Sequence, residues 1–171
     1  MIMLEKFIDA VNESHINVDS IIITKNNHTE RHFFTETEED AFHSVRSISK
    51  TVSCLGAFVA VEKGVYDLET NILQFFDRDK ITNENNILFL EKMKIKHLMN
   101  LTIGREKDLM FSKDIKERIK EYPDTDFVYD YILKTDIKHN PGEYFVYNNA
   151  ATYLLCAITQ KLLKNVNRFH R

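Results

Sequence analysis

The sequence predicts an α+β fold, in which a short N-terminal β-hairpin is followed by a mostly helical region. Two β-prone runs and a turn signal lie near the start, in "SIIITKNNHTERHFF". Beyond them, apolar residues recur mainly at helical spacing as far as the run "TYLLCAITQKLL". The chain has 171 residues, 43% of them hydrophobic, and shows no internal repeat or linker. It can therefore bury a core of its own, and we expect a single domain over residues 1–171.

The first 35 residues predict a helix and then the hairpin. The hairpin arms are expected at Ile21–Thr24 and Arg31–Thr35, joined at Asn26-Asn27, because asparagine tolerates the positive φ of a tight turn. The helix before them is amphipathic, since four apolar residues fall on one of its faces: Leu4, Phe7, Ile8 and Val11.

The helical region begins with one long helix. This helix is predicted from Ile48 to Glu62 and is ended by Gly64, because glycine can take the left-handed capping conformation. A short helix with Asp67 as a candidate cap follows it. The run "KIKHLMNLTIG" predicts a further helix, with Gly104 near its stop.

The second half predicts more helices and a turn. Two short helices broken at Pro123 are expected between Met110 and Thr135. Pro141-Gly142 indicates a turn, after which "EYFVY" is expected to be extended. The last helix is expected to direct inward four residues of its apolar face: Leu154, Leu155, Ile158 and Leu162.

Composition excludes several classes of function. A formal net charge of −3 argues against a nucleic-acid partner, which needs a basic face. No uncharged apolar run approaches the roughly 20 residues that span a bilayer, and the N-terminus does not resemble a signal peptide. Cys54 and Cys156 lie in apolar helical runs and are expected to be buried thiols in a reducing compartment. We therefore expect a cytoplasmic protein that binds neither nucleic acid nor membrane.

Ser47 and Lys50 form the candidate nucleophile and base. Three residues apart on a helix, they lie on one face and can touch. A serine hydroxyl needs a neighbouring base, and burial can lower the pKa of a lysine far enough for it to act as one. The apolar positions after Lys50 predict burial on nearly every side of the helix: Val52, Leu55, Ala57, Phe58 and Val59. By itself, however, Ser-x-x-Lys is a short pattern that also occurs by chance.

Three blocks of sequence follow one another around and after this pair: "SISKTVSCLGAFVAVEKGVYDLETNILQFF", "IKHLMNLTIG" and "PGEYFVYNNAATYLLCAITQKL". In these blocks and their order, the chain resembles the serine β-lactamase and penicillin-binding-protein superfamily, and within it the class C β-lactamase-like hydrolases and esterases. The resemblance implies that Ser47 is the acylated nucleophile and Lys50 its partner. It also implies that Tyr147 shares in proton transfer, and that Asn149 binds the substrate and holds the lysine. Without the resemblance, Tyr147 could be a packed strand tyrosine and Asn149 a helix N-cap.

The resemblance fails in one respect. Family members carry a later Lys-Thr-Gly-like motif on an edge strand of the main sheet, which usually donates the second oxyanion N–H, and these 171 residues contain no match to it. The chain is therefore similar to the N-terminal half of a member, with a truncated β-lactamase/DD-peptidase-like fold. Self-association or a complementing C-terminal half is the expected macromolecular interaction.

Two functions follow from these observations. The first is a serine hydrolase that forms an acyl-enzyme with a small-molecule ester, amide or lactam, without a cofactor or metal. The second is a non-catalytic, truncated family member or a partner- or ligand-binding fragment.

Overall fold

The computed structural model describes residues 2–36, 41–81, 83–107 and 135–166. These residues belong to two units, 1–45 and 46–171, and each unit is described by itself. The single domain over residues 1–171 stays a prediction. The helices expected between Met110 and Thr135 lie almost wholly outside the described residues.

The first unit contains the predicted helix and hairpin. Helix α1 covers Ile2–Ser14, and strands β1 (Ser20–Lys25) and β2 (His28–Phe33) pair antiparallel. Asn26 and Asn27 have φ angles of +52° and +61°, as a two-residue type I′ turn requires. The hairpin and its turn are confirmed; the first arm is one residue longer at each end than predicted, whereas the second begins three residues earlier, at His28, and ends at Phe33 rather than Thr35.

The second unit is helical and contains most of the core. After a 3₁₀ turn at Arg46–Ile48 come helices α2 (Ser49–Glu62), α3 (Glu84–Leu90), α4 (Ile95–Met99) and α5 (Asn149–Val166). Helix α5 contacts both α2 and α4. The predicted inward residues of α5 lie in this core, and the largest fully buried apolar side chains of the unit are Ile72, Met93, Ile95, Leu98, Ile103, Leu154, Leu155 and Ile158.

Helix α2 ends as its sequence predicts. Gly64 has a φ of +68° and donates its N–H to the Val61 carbonyl, while Val65 donates to the Ala60 carbonyl. These two bonds form a Schellman motif, which satisfies carbonyls that the end of the helix would otherwise leave unpaired.

The expected burial of α2 on nearly every side is wrong. Ala57 and Ala60 are fully buried, but Val52, Leu55 and Phe58 are each at least half exposed. An apolar helix face can be buried only where another element packs against it. Among the described residues, such an element covers only one face of α2. The predicted burial of Cys156 is wrong for the same reason, since this residue lies on an uncovered part of α5 and is exposed. Cys54 is half-buried, and both thiols are free.

In the connection from α2 to α3, the predicted capping role of Asp67 is wrong. A 3₁₀ helix spans Ile72–Phe75, and its cap is Asn71, whose side chain accepts from the Leu73 N–H at 2.8 Å. Asp67 instead belongs to a preceding turn with Thr70. A second 3₁₀ helix, Arg78–Lys80, leads towards α3.

Gly104 does not end a helix; it allows the 137–139 segment to pass close to residue 104. Helix α4 already ends at Met99, whereas Gly104 has a φ of +75° and its carbonyl accepts from the N–H groups of Lys138 and His139. A Cβ on residue 104 would lie 2.1 Å from the His139 carbonyl oxygen. Only glycine therefore lets the 137–139 segment approach so closely.

The same segment is held by a buried amide. Asn86 is fully buried on α3; its Nδ2 donates to the Thr135 carbonyl and its Oδ1 accepts from the Ile137 N–H, both at 2.9 Å. The buried Arg105 also donates to the Thr135 carbonyl. These bonds fix the chain just before it enters the Pro141-Gly142 turn.

The predicted turn is present and leads towards Tyr147. Glu143 donates its N–H to the Asn140 carbonyl, and Gly142 has a φ of +98°, as a type II turn with Pro141 requires. Backbone bonds from Gly142 to Thr102 and from Val146 to Leu101 then attach this segment to the loop after α4. The structure assigns no strand to "EYFVY".

His97 predicts a pH dependence of stability. Its buried ring accepts the Lys94 N–H at Nδ1, and burial, followed by the charges of Lys96 and Lys94, lowers the pKa of His97, while Glu69 opposes this shift. The unfolded state therefore binds the proton more tightly, so stability is full above a pH of about 6.5 and falls as the pH drops below it. We expect a lower urea midpoint at pH 5.5 than at pH 7.5, and a smaller difference in His97→Asn.

The charge of the neighbouring Glu69 does not change between pH 5.5 and pH 7.5. The pKa of Glu69 is lowered to about 2 by hydrogen bonds from Lys94 and Lys96, so that carboxylate stays ionised throughout. An equal loss of stability in wild type and His97→Asn would assign the effect to another group.

Within the described residues, no helix is both long enough and apolar enough to cross a membrane.

Candidate active site

Ser47 lies in the middle of the 3₁₀ turn that enters α2. It is exposed, and the residue before it, Arg46, has a φ of +43°. A residue other than glycine is strained in this region, and such strain is common at functional sites. Ile48, at the N-cap position of α2, makes no side-chain capping bond. The first N–H groups of any helix point towards its N-terminus, which here is the Ser47 end. A developing anion would be favoured there.

Lys50 connects the two ends of the candidate site. Its Nζ lies 3.4 Å from Ser47 Oγ, the contact that the three-residue spacing predicts. The same Nζ donates to Asn149 Oδ1 at 2.6 Å, across 99 residues of sequence. Lys50 is half-buried rather than enclosed.

Asn148 and Asn149 divide two tasks at the start of α5. Asn148 is buried; its Oδ1 accepts from the Ala151 N–H at 2.8 Å, and its Nδ2 donates to the Val146 carbonyl at 2.7 Å. It is therefore the N-cap of α5, the role left open for Asn149. Because Asn148 caps the helix, the Asn149 side chain is not used as a cap and can reach Lys50. Sequence reasoning missed Asn148, although an asparagine just before a helical run is itself a capping signal.

Tyr147 also lies close to the amine. The Lys50 Nζ is 5.0 Å from the centre of the Tyr147 ring, within the range of a cation–π contact. Tyr147 is 45% exposed, so it is not a packed core tyrosine. The turn at Pro141-Gly142 and the bond from Val146 to Leu101 bring this ring to the start of α2.

The four predicted site residues thus meet around one amine, Lys50 Nζ. The arrangement contains a hydroxyl, an amine, an amide oxygen and an aromatic ring, beside the N-terminus of a helix. These are groups that can move a proton from an attacking hydroxyl and stabilise negative charge. The catalytic role of each residue stays a prediction.

In the part of the chain that the structure describes, no group of three or more His, Cys, Asp and Glu side chains is placed to hold an ion. His28, on the hairpin, lies 3.4 Å from Glu30.

Comparison with known proteins gives a family match and a structural similarity. The family model described as "Beta-lactamase" matches residues 4–165 of the chain. A solved structure, described as a 6-aminohexanoate-dimer hydrolase from Bacillus anthracis, superimposes with a TM-score of 0.62 and 18% sequence identity. The superposition covers 91% of this chain and 42% of that one, so the chain spans less than half the length of this neighbour. A search of curated proteins finds no match.

Proposed function

Because this chain belongs to the β-lactamase family, we propose that it is a serine hydrolase that forms an acyl-enzyme with an ester, an amide or a lactam. The family match and the neighbour's fold agree with the predicted α+β architecture. The observation that carries the proposal is the position of Lys50 Nζ, which bonds both Ser47 Oγ and Asn149 Oδ1.

In this proposal Ser47 Oγ attacks the carbonyl carbon of the substrate. Lys50 Nζ accepts the hydroxyl proton, and Tyr147 shares in passing that proton to the leaving group. The Asn149 oxygen keeps the amine in position, and the resemblance to the family implies that the Asn149 side chain also binds the substrate. The N–H groups at the start of α2 stabilise the charge that develops on the carbonyl oxygen. Water then hydrolyses the acyl-enzyme.

The proposed substrate is a small molecule. The neighbour's description concerns a dimer of 6-aminohexanoate, which is joined by an amide, and this supports an acyl substrate without choosing among amide, ester and lactam. We also propose a cytoplasmic location, consistent with two free thiols.

The alternative is a non-catalytic, truncated family member that binds a ligand or partner. One observation favours it: Ser47 is exposed. Such a product would keep the fold and the lysine contacts but would not turn over an acyl substrate.

The test of the proposal is to trap the acyl-enzyme. We expect p-nitrophenyl acetate or a penicillin to add one acyl group to the intact chain, which peptide mapping would locate on Ser47. The donor that reacts identifies the substrate class. If no donor adds mass to a chain with a cooperative unfolding transition, the non-catalytic alternative holds.

A further inference from the structure

Asn148 is buried at the start of α5 and uses both ends of its amide. Its side chain belongs to a residue that is 1% exposed. The oxygen accepts from the Ala151 N–H at 2.8 Å, and the nitrogen donates to the Val146 carbonyl at 2.7 Å. The two ends cannot be exchanged, because a reversed amide would set its NH₂ group against an N–H and its oxygen against a carbonyl. We call this pair of hydrogen bonds the amide bridge.

The amide bridge encloses two residues of the candidate site. Tyr147 and Asn149 both lie between its backbone partners in the sequence. On the C-terminal side the bridge ends on Ala151, which is fully buried in the core. On the N-terminal side it ends on Val146, whose own N–H donates to the Leu101 carbonyl at a longer distance of 3.4 Å. The bridge thus joins a segment with a long backbone bond to the well-packed start of α5.

Capping alone does not account for this amide. An N-cap needs an acceptor for an N–H of the first turn, and serine, threonine and aspartate supply one as well as asparagine does. The bond to the Val146 carbonyl is a second task, which requires a donor. Aspartate has no N–H to donate, and serine has a single oxygen on a short side chain in place of two separated atoms. The donor end of Asn148 therefore acts on the backbone just before Tyr147.

We propose that Asn148 is a positioning residue of the candidate site, whose amide bridge holds Tyr147 and Asn149 at the Lys50 amine. Asn149 Oδ1 lies 2.6 Å from Lys50 Nζ, and the centre of the Tyr147 ring lies 5.0 Å from it. Both contacts depend on the backbone that the bridge spans, and Asn148 acts through them. The consequence for acyl transfer rests on the proposed hydrolase function, whereas the geometry does not.

Asn148→Ser separates the two bonds of the amide bridge. Serine is a good N-cap, so its hydroxyl can still accept the Ala151 N–H. The short side chain cannot at the same time replace the donor to the Val146 carbonyl. The variant therefore keeps the helix cap and loses the connection to the segment before Tyr147.

Asn71 offers a matched control. Its Oδ1 accepts from the Leu73 N–H at 2.8 Å, and its Nδ2 donates to the carbonyls of Leu90 and Glu91. Asn71→Ser therefore also keeps a cap and loses amide donors, but none of these partners belongs to the candidate site. Both serine variants should lower the urea midpoint, and the urea curves define conditions in which each variant is folded.

The contact between Lys50 and Tyr147 gives a readout that does not depend on activity. Protons over the face of an aromatic ring resonate upfield, so we expect an upfield-shifted εCH₂ signal for Lys50 in a ¹H–¹³C spectrum of the folded chain. Tyr147→Leu should remove the shift and thereby assign it. Asn148→Ser should lose most of the shift, whereas Asn71→Ser should keep it. A wild-type chain without the shifted signal, or a shift that Asn148→Ser leaves unchanged, would overturn the proposal.

The rate at which a fluorophosphonate labels Ser47 tests the consequence for the reaction. We expect Asn148→Ser to lower this rate by about 10–10²-fold, because small displacements of positioning groups are costly, and Asn71→Ser to leave it unchanged. Equal rates in wild type and Asn148→Ser would overturn the positioning role and leave Asn148 as a cap. If the wild type is not labelled but Asn148→Ser still loses the lysine shift, the geometric role of the bridge is supported and the hydrolase function fails.

Discussion

Ser47→Ala is expected to abolish all covalent labelling of the chain by a fluorophosphonate. The wild-type chain should acquire one adduct slowly, because its sequence has no match to the motif that usually donates the second oxyanion N–H, and loss of one such donor costs about 10²–10³ in rate. Lys50→Gln should slow labelling by a further factor of about 10²–10⁴, since it removes the base that contacts Ser47 Oγ. Intact-mass spectrometry over a time course measures all three rates.

The matched control is Ser53→Ala, on the same helix. Ser53 is half-buried, and its hydroxyl bonds only to the Ser49 carbonyl among the contacts described, so its loss should leave the labelling rate unchanged. An adduct that persists in Ser47→Ala, or that forms on another residue, would contradict the assignment of the nucleophile. No adduct on wild type at high probe concentration would contradict catalysis by this chain.

Gly104→Ala is expected to lower the free energy of unfolding by about 2–5 kcal/mol. The substitution forces a side chain into a left-handed conformation and against the His139 carbonyl oxygen, 2.1 Å from the ideal Cβ position. That is a large part of the roughly 5–15 kcal/mol of a typical domain. It should also displace the segment that leads to Tyr147 and thereby slow labelling of Ser47. Urea denaturation measures the first effect and intact-mass kinetics the second.

Gly56→Ala provides the control for this prediction. Gly56 lies inside α2, and a Cβ there meets nothing within 4 Å. Alanine should therefore stabilise the chain by about 0.5–1 kcal/mol through its higher helix propensity. A loss of less than 1 kcal/mol in Gly104→Ala would mean that the 137–139 segment does not approach residue 104 as closely as described.

The sequence by itself determined the features that depend on neighbouring residues. Asn26-Asn27 specified the hairpin turn and Gly64 the end of α2, because both need backbone conformations that few residues adopt. The contact between Ser47 and Lys50 also followed from local spacing, since residues three apart on a helix lie one turn apart. The resemblance to a family added the prediction that Tyr147 and Asn149 belong to the same site.

Only the tertiary structure decided which elements meet. The bond between Lys50 and Asn149 joins residues 99 positions apart, and it requires Asn148, rather than Asn149, to cap α5. The apolar pattern of α2 predicted burial on nearly every side, but the described residues cover one face and leave Leu55 exposed. A pattern reports the affinity of a side chain for an apolar environment, whereas burial depends on whether another element occupies the adjoining space.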